Sequence, residues 1–490
     1  MKIELPVPIE VSRITQTLQN KGFSAYIVGG CVRDLLMNRK PRDWDVTTNA
    51  KPEDIEQTFT KTFYENNFGT VTVVNEEVTD SSLKTVEITP FRRESEYVDH
   101  RHPEQVFFAE TVEEDLKRRD FTINALAYNP QTGELIDNFS GTKDIKDKII
   151  RTVGNSHDRF EEDALRIMRA VRLATELGFD IDPETKKGIE DKADTLNQIA
   201  KERIREEFNK MLLSDNPMMG LEMLKNNHLL GHIVLELVET IGVTQNGAHI
   251  YDVWEHLIRS LQHSADRQMS LELRLAALFH DIGKPASRRW SQDKNNWTFY
   301  GHEVIGARMV KKILTNLKYS KKTIETVEKL VRYHMFFADI EQITLSAVRR
   351  IIASVGPDHI EDLMRLRTCD RIGMGRPKEN PYRLRKYEAM IDEAMRAPTA
   401  VTMLKINGDD LMQNLKLKPG PKIGYILNIL LEEILDDPNK NTKDHLENQA
   451  ISLSEMNEKD LKTLSDKAKI RKDEVEQGEL KKIRKKHSVN

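Results

Sequence analysis

The chain has 490 residues, 31% of them charged, and a formal net charge of −4, so we expect several domains and only a local basic surface for any nucleic acid. Its two cysteines, Cys31 and Cys369, exclude a disulfide framework and a cysteine-based zinc site. Since no apolar run reaches the length of a membrane span and Met1-Lys2-Ile3-Glu4 lacks a signal-peptide pattern, we expect a soluble, cytoplasmic protein with no membrane partner.

The first part of the chain predicts a strand, a glycine turn, a helix and a second strand. A predicted amphipathic helix over residues 9–22 leads into an apolar strand that ends at Gly29 and Gly30. Glycines there allow a tight turn beside a ligand, and the N-terminus of the following helix suits a phosphate. Asp43 and Asp45 are one residue apart, so on a strand both carboxylates would project from one face. Two such carboxylates can bridge a pair of Mg²⁺ ions for attack on a phosphoryl group.

The order Gly-Gly-x-x-Arg-Asp followed by Asp-x-Asp resembles the signature of the DNA polymerase β-like nucleotidyltransferases. In detail it is similar to the class II tRNA nucleotidyltransferases (CCA-adding enzymes) and the bacterial poly(A) polymerases. The resemblance implies an α+β fold, in which an N-terminal polymerase β-like head with a mixed sheet precedes all-α neck, HD and tail domains. It also implies that Asp43 and Asp45 are catalytic ligands of Mg²⁺ and that the nucleotide-binding residues include Gly29, Gly30 and Arg33.

Two further strands, over residues 69–74 and 85–89, are predicted to pair antiparallel. Glu87 interrupts the second strand. It is either an edge residue facing water or a third catalytic carboxylate beside Asp43 and Asp45, and the resemblance favours the second role.

The long charged segment over residues 92–110 has the length of a functional or disordered loop. CCA-adding relatives carry a flexible loop here that helps to accommodate the terminal ATP, and relatives that add only the two cytidines have lost it. Its presence favours an enzyme that adds the last adenosine. Residues 114–126 match the next family motif, which implies that Arg119 and Asn124 reach the triphosphate and the ribose; Asp120 could also cap a helix start.

Residues 161–172 carry the pattern expected of base selection. We predict that Asp163 and Arg166, three residues apart, are neighbours on one helix face, where acceptors and donors in one plane can pair with a base edge. Asp163 could accept from the exocyclic amine that cytosine and adenine share. The resemblance implies that the pair selects CTP and ATP without a nucleic-acid template, and a surface salt bridge is the alternative. Arg169 and Arg172 match the nucleotide-binding motif, but Arg172 lies half a turn from Asp163, which favours contact with phosphate or support of the helix.

From His249 onward, histidines and aspartates recur at helical positions. The order His…His-Asp…His…His…Asp, with Gly-Lys after the adjacent pair, resembles the HD phosphohydrolase superfamily. A single buried histidine is more often a core residue, but this set suits a divalent ion such as Mn²⁺, Ni²⁺ or Mg²⁺. The resemblance implies a first metal site, extra ligands for a second ion, and a phosphate contact. The first-site ligands would be His256, His280, Asp281 and Asp370, the extra ligands His302 and His334, and the phosphate contact Lys284.

Residues 405–427 read as turn, helix, turn and helix, which would suit contact with a tRNA backbone. The charged stretch from Glu455 is predicted to be a solvated helix or disordered, with weak nucleic-acid contact as a lesser alternative. The predicted domains are a nucleotidyltransferase head (1–145), a base-selecting neck (146–240), an HD domain (241–385), a tRNA-binding helical tail (386–450) and a charged extension (451–490).

These features predict an enzyme that adds CCA, or at least the terminal A, to the 3′ end of tRNA from CTP and ATP by two-metal nucleotidyl transfer. An associated HD phosphohydrolase would act on 2′,3′-cyclic or terminal phosphates. One alternative is a poly(A) polymerase, whose basic signature is missing from residues 107–111, or an A-adding enzyme that works with a separate CC-adding enzyme. Another is an HD hydrolase whose head only binds nucleotide or RNA, against which the Asp43 and Asp45 pair argues. The sequence leaves the oligomeric state open.

Overall fold

The computed structural model describes residues 1–65, 69–94, 106–245, 249–336, 343–395 and 404–489. The chain divides into two compact units, one of Met1–His334 with Arg365–Pro377 and one of Met335–Met364 with Lys378–Asn490. Within the described ranges, no helix has both the length and the apolar character to cross a membrane. Most of the predicted loop over 92–110 lies outside the described residues, and the cytoplasmic location and the domain boundaries stay predictions.

The first unit contains a mixed sheet in the order β3-β4-β5-β2-β1-β8-β9, in which β2 and β5 are parallel and the other neighbours antiparallel. The predicted mixed sheet and the antiparallel pair, now β4 and β5, are confirmed. The remaining described strands form short two-stranded pairs, so the predicted all-α regions also contain β10 with β11 and β12 with β13. The strands are β1 Ala25–Val28, β2 Asp45–Thr48, β3 Thr62–Glu65, β4 Thr70–Val74, β5 Thr85–Pro90, β6 Arg92–Glu94, β7 Val106–Phe108, β8 Ala127–Asn129, β9 Glu134–Ile136, β10 Ile149–Ile150, β11 Asp180–Ile181, β12 Arg289–Ser291 and β13 Asn296–Thr298.

The helices that accompany the mixed sheet are short and amphipathic. The predicted first helix is confirmed, and its Val11, Ile14 and Leu18 recur at helical spacing and are buried in one core with Ile27 and Val46 of the sheet. This packing fixes the strands that carry the glycine turn and the acidic residues. The helices are α1 Ile9–Asn20, α2 Gly30–Leu36, α3 Pro52–Thr58, α4 Val112–Lys117 and α5 Gly141–Asp147.

The rest of the first unit is mainly helical, as expected. Asp182, Asp252 and Ser270 begin three of its helices, because each side chain accepts a hydrogen bond from a first-turn N–H group. The helices are α6 Ser156–Glu162, α7 Leu165–Leu177, α8 Pro183–Asp191, α9 Lys201–Leu212, α10 Pro217–Asn226, α11 Leu230–Ile233, α12 Leu235–Val238, α13 Val253–Asp266, α14 Leu271–Phe279, α15 Lys284–Ser287, α16 His302–Asn316 and α17 Lys321–Tyr333. Helix α19, Ile360–Gly373, begins in the second unit and ends in the first.

The second unit is helical in its described residues. Its helices are α18 Leu345–Val355, α20 Tyr382–Met395, α21 Gly408–Leu415, α22 Pro421–Asp436, α23 Lys443–Ser454 and α24 Glu458–Lys486. The charged stretch after Glu455 forms the helix α24, as one of the two predicted alternatives had it, but this helix is not exposed to solvent on every face. Leu461, Ser465 and Ala468 of α24 are buried, and they recur at intervals that place them on one face of the helix.

Candidate active site and metal centre

The acidic residues of the head lie where β2 begins. There β2 runs parallel to β5, and both strands are inside the mixed sheet. Asp45 begins β2 and lies opposite Glu87 of β5. The expectation that Asp43 also lies on a strand is wrong: Asp43 is in the bend before β2 and is exposed. The reason is that the hydrogen bonds between β2 and β5 end at Trp44. The Glu87 N–H donates to the Trp44 carbonyl, and within the described residues no backbone hydrogen bond of this ladder includes Asp43. The predicted third carboxylate, Glu87, therefore lies beside Asp45 on the neighbouring strand, and the charges of both Glu87 and Asp43 act on Asp45.

The charge environment of Asp45 is that of a crowded carboxylate. Burial raises the pKa of Asp45 to about 6, the Arg119 guanidinium opposes this, and the negative charges of Asp43 and Glu87 add to it. A divalent cation relieves such crowding, and hard oxygen donors suit Mg²⁺. The residues present therefore fit the ion that the sequence implies.

Gly29 lets an arginine and a carboxylate approach the backbone. Its φ is +84°, a conformation that favours glycine. A Cβ there would lie 3.0 Å from Arg119 Nη1 and 3.7 Å from Asp45 Oδ2. Gly30 follows as the first residue of α2, and Arg33 Nη1 of that helix donates to Asn124 Oδ1 at 2.8 Å. The predicted triphosphate-binding residues are thus brought together beside Asp45.

Two buried aspartates, for which the sequence suggested no binding role, orient the arginines of this region. Asp115 accepts from Arg118 Nε at 2.9 Å and from Arg119 Nη2 at 3.1 Å. Asp120 accepts from Arg169 Nε at 2.8 Å and from its neighbour's N–H. The spacing of Asp115 from the two arginines, three and four residues, is a signal that could have found it.

The predicted geometry of Asp163 and Arg166 is wrong, because they do not lie on one continuous helix. Helix α6 ends before Asp163, and α7 begins after it. Asp163 is extended, and its carboxylate accepts from the Leu165 N–H at 3.0 Å and from Arg203 Nη2 at 2.9 Å. Capping the new helix competes with continuing the old one, which is common for aspartate. Arg166 is buried and bonds to Glu162 and, at 3.3 Å, to the Arg118 carbonyl. The two residues lie at one helix junction but do not share a helix face.

The other two arginines of the motif have different settings. Arg169 pairs with Asp120, which joins α7 to the head. Arg172 is held by Glu176 of its own helix and by Glu207 of α9. Of the two roles considered for Arg172, these contacts favour holding the helix, and its contact with nucleotide stays a prediction.

The six predicted ligands of the second region form one buried cluster on α13, the end of α14, α16, the end of α17 and α19. They fall into two groups whose ligand atoms lie within 4.8 Å of one another: His256 with His280 and Asp370, and Asp281 with His302 and His334. Asp281 joins them, since its Oδ2 lies 3.1 Å from His256 Nε2 and its Oδ1 lies 3.1 Å from His302 Nε2.

Hydrogen bonds to the backbone aim the histidines at the centre. The Nδ1 atoms of His280, His302 and His334 lie 2.9, 2.8 and 2.7 Å from the carbonyls of Ala277, Phe299 and Val331. Because Nδ1 must be the donor there, a neutral ring turns the lone pair of Nε2 inward. Two such lone pairs, on His302 and His334, face each other at 3.3 Å. This arrangement repels without a cation between the rings and fits a metal ion.

The Asp281 carboxylate also lies close to positively charged groups. Burial alone would raise its pKa, but Lys284 and His280 hold the pKa of Asp281 well below its usual value. Lys284 Nζ lies 2.5 Å from Asp281 Oδ2 and donates to Gln245 Oε1, a contact that the sequence did not indicate. The lysine is therefore buried beside the six predicted ligands.

Comparison with known proteins places these regions in described families. Residues 25–151 match the Poly A polymerase head domain, and residues 253–374 match the HD domain. Residues 388–450 match tRNA nucleotidyltransferase domain 2. The CCA-adding enzyme of Lactobacillus helveticus is 32% identical over 445 residues, which cover 90% of this chain and 96% of that relative.

Two further matches extend over the same range. The CCA-adding enzyme of Ligilactobacillus salivarius is 33% identical over 443 residues, covering 90% of this chain and 96% of that relative. A solved structure of the Bacillus stearothermophilus CCA-adding enzyme in complex with CTP is 27% identical with a TM-score of 0.58, covering 90% of this chain and 96% of that one.

Proposed function

The chain belongs to the family of CCA-adding enzymes, and on that premise we propose how its residues divide the work. The enzyme adds CCA to the 3′ end of tRNA from CTP and ATP. In each addition the terminal 3′-oxygen of the RNA forms a bond to the α-phosphorus of the nucleotide. The bond from that phosphorus to the bridging oxygen breaks, and pyrophosphate leaves.

The observation that carries the assignment is the meeting of Asp43, Asp45 and Glu87 beside the turn at Gly29. We assign Mg²⁺ to the two aspartates, and the raised pKa of Asp45, caused first by burial and then by the negative charges of Asp43 and Glu87, supports this assignment. Bound there, Mg²⁺ would neutralise phosphate charge and favour ionisation of the 3′-hydroxyl. Glu87 would act as the third catalytic carboxylate, directly across from Asp45 in the parallel register.

The triphosphate would lie against the glycine turn. Gly29 and Gly30 leave room for it, while Arg33 and Arg119 supply positive charge at its edge. Asn124 already accepts from Arg33, and we assign it to the ribose side of the nucleotide.

Base selection is assigned to Asp163 and Arg166 at the junction of α6 and α7. Each is engaged by another residue, Asp163 by Arg203 and Arg166 by Glu162, so nucleotide binding would exchange those partners for the base. Replacing Asp163 with alanine should therefore reduce discrimination between CTP and UTP more than it reduces the rate with CTP. Arg169 would keep this junction fixed to the head through Asp120.

The test uses tRNA that ends at the discriminator base, offered CTP alone and then CTP with ATP. Two cytidines followed by one adenosine are expected. Asp43→Ala and Asp45→Ala should each remove incorporation without loss of helix content. Elongation only of tRNA that already ends in CC would identify an A-adding enzyme, and a long adenosine tract would identify a poly(A) polymerase.

We also propose that the buried histidine–aspartate cluster is a second active centre, a metal-dependent phosphohydrolase. Its ligands would be the six residues that the sequence indicated, and Asp281 would lie between the two groups of histidines. A divalent ion such as Mn²⁺, Ni²⁺ or Mg²⁺ would activate water and neutralise phosphate. On a 2′,3′-cyclic phosphate the water oxygen bonds to phosphorus, one ribose P–O bond breaks, and the freed ribose oxygen takes the proton that the water loses. Lys284 would hold the phosphate beside Asp281.

This second proposal is tested by following hydrolysis of an RNA that ends in a 2′,3′-cyclic phosphate with each of the three ions. The wild-type chain should open the ring, and His280→Ala should not. If the wild-type chain leaves the ring closed with every ion, the cluster is not a hydrolase for this substrate. Asp45→Ala separates the two centres, because it removes nucleotide incorporation from the same chain.

A further inference from the structure

Between Lys284 and His302 the chain forms a hairpin that carries no predicted site residue. Strands β12 and β13 pair Arg289 with Thr298 and Trp290 with Trp297. We call residues 288–300 the aromatic hairpin. Its tryptophan rings meet edge to face with centroids 5.3 Å apart, yet Trp290 is 51% exposed and Tyr300 is 73% exposed. The exposed rings of Trp290 and Tyr300 are therefore accessible to a ligand.

Positive charge lies among these rings. The Arg288 guanidinium lies over the Trp297 ring at 4.0 Å, and Lys294 Nζ donates to the Tyr300 hydroxyl at 2.6 Å. Arg289 is exposed on the first strand. Residues 288–300 contain these three cations and a single acid, Asp293. Exposed aromatic faces interleaved with cations match the surfaces that bind single-stranded nucleic acid, where bases stack and phosphates pair with the charges.

The C-terminal end of the aromatic hairpin is joined to the histidine–aspartate cluster through Phe299. Lys284, which contacts Asp281, has its Nζ 5.8 Å from the centre of the Phe299 ring. The carbonyl of the same residue, Phe299, lies 2.8 Å from Nδ1 of the predicted ligand His302. Tyr300 and His302 are two positions apart, so their Cα atoms are at most about 7 Å apart. A nucleotide on the hairpin would therefore have its phosphate close to the cluster.

We propose that the aromatic hairpin binds the unpaired 3′-terminal nucleotides of an RNA and presents their terminal phosphate to the histidine–aspartate centre. The proposal rests on the proposed phosphohydrolase and names its substrate class as single-stranded RNA ends. Bases stack on Trp290 and Tyr300, and Arg289 and Lys294 meet the phosphates. Because every base has an aromatic face, binding depends little on sequence. Small phosphate esters lack the bases and gain nothing from the hairpin.

The experiment compares two substrates in the presence of Mn²⁺: a single-stranded hexanucleotide that ends in a 2′,3′-cyclic phosphate, and glycerol 1,2-cyclic phosphate, a small ester without an aromatic ring. Trp290→Ala and Tyr300→Ala should each lower the ratio of kcat/KM for RNA to kcat/KM for the ester by roughly tenfold, mostly through KM. Gln292→Ala, an exposed residue of the turn with no ring, is the matched control and should keep the ratio. The rate with the ester reports that the centre has folded.

An unchanged ratio in both ring variants would overturn the proposal and leave the phosphohydrolase standing. If the wild-type chain hydrolyses neither substrate, the phosphohydrolase proposal fails, and the hairpin is then judged by binding. RNA carrying 5-iodouridine should cross-link on illumination to Trp290 or Tyr300, and cross-links found only elsewhere in the chain would refute the role. If Trp290→Ala instead lowers the sedimentation coefficient of the protein and leaves the ratio unchanged, the hairpin joins copies of the chain rather than binding RNA.

Discussion

At the scale of single residues, the backbone at Gly29 decides where Arg119 and Asp45 meet. Alanine there would adopt a φ of +84° and a ψ of −134°, a region almost confined to glycine, at a cost of about 1–3 kcal/mol, and its Cβ would lie 3.0 Å from Arg119 Nη1. We expect Gly29→Ala to lower kcat/KM for CTP on the order of 100-fold, because displacement of a positioning group by an ångström has effects of this size. Steady-state incorporation into tRNA measures it.

Gly22 provides the matched control for that substitution. Its φ is +91°, yet nothing lies within 4 Å of the position of a Cβ. Gly22→Ala should therefore lose a similar free energy of unfolding and keep its incorporation rate. Equal loss of activity in the two variants would mean that backbone strain, rather than contact with Arg119, accounts for the effect.

Asp120 is a second residue whose contribution can be measured, through pH. Burial alone would raise its pKa, but Arg169 and Arg166 lower the pKa of Asp120 to about 2. A carboxyl whose pKa is lower in the folded state contributes stability above about pH 4, and loses it as pH falls through about 2. The shift corresponds to about 2 kcal/mol. Asp120→Asn should lower the free energy of unfolding by about that amount at pH 7, and the difference from wild type should shrink between pH 4 and pH 2, as measured by urea unfolding.

Asp80 is the control, since hydrogen bonds from Lys40 and Ser82 lower the pKa of Asp80 to about 2 at the surface. Exposed pairs contribute little to stability, so Asp80→Asn should change unfolding much less. If the two variants lose the same stability, burial of the Asp120–Arg169 pair is not what matters.

At the scale of elements, the contact of α19 with α13 sets the histidine–aspartate centre. Gly373 lies where a Cβ would be 2.0 Å from Ser260 Oγ and 2.7 Å from the His256 carbonyl. Ser260 is buried and donates to that carbonyl, so it has little room to move. Gly373→Ala should push the helices apart and weaken Mn²⁺ binding at least tenfold, measured by calorimetric titration, while incorporation of CTP and ATP continues.

A glycine in α22 serves as the control for a helical position. Nothing lies within 4 Å of a Cβ at Gly424, so Gly424→Ala should bind Mn²⁺ normally. Alanine also has a higher helix propensity than glycine by about 1 kcal/mol, which predicts unchanged or slightly increased stability. A loss of Mn²⁺ binding in both variants would contradict the role given to the α13–α19 contact.

Elements with a strong period were predictable, and those set by competing side-chain contacts were not. The helix α1 and the paired strands β4 and β5 follow from their apolar spacing. The six predicted ligands come from several helices, yet residue type and chain order indicated a set that the structure brings together. The break at Asp163 could not be read from spacing, because the Leu165 N–H and Arg203 both bind its carboxylate. The Asp-x-Asp spacing of Asp43 and Asp45 is compatible with a strand, but it does not show at which residue the hydrogen bonding of β2 begins.

The contacts made within the centre could not be predicted in the same way. The sharing of Asp281 between two groups of histidines depends on where helices distant in sequence meet. The aromatic hairpin was also missed, because three-residue strands give too little alternation to recognise. In both cases the information lies in packing between segments rather than within one segment.

At the scale of the whole molecule, the two compact units should respond separately to a cavity. Leu461 of α24 is fully buried in the core of the second unit, whereas Ile470 of the same helix is 61% exposed. Leu461→Ala should lower the free energy of unfolding of that unit by about 2–5 kcal/mol, because it leaves a cavity, and Ile470→Ala should change it by less than about 0.5 kcal/mol.

Hydrogen exchange read by mass spectrometry separates peptides of the two units. Faster exchange in Leu461→Ala should be confined to residues 335–364 and 378–489, with the peptides of Met1–His334 unchanged. Equal acceleration in both units would show that the chain unfolds as one cooperative body, and the charged C-terminal helix would then stabilise the active-site head as well as its own unit.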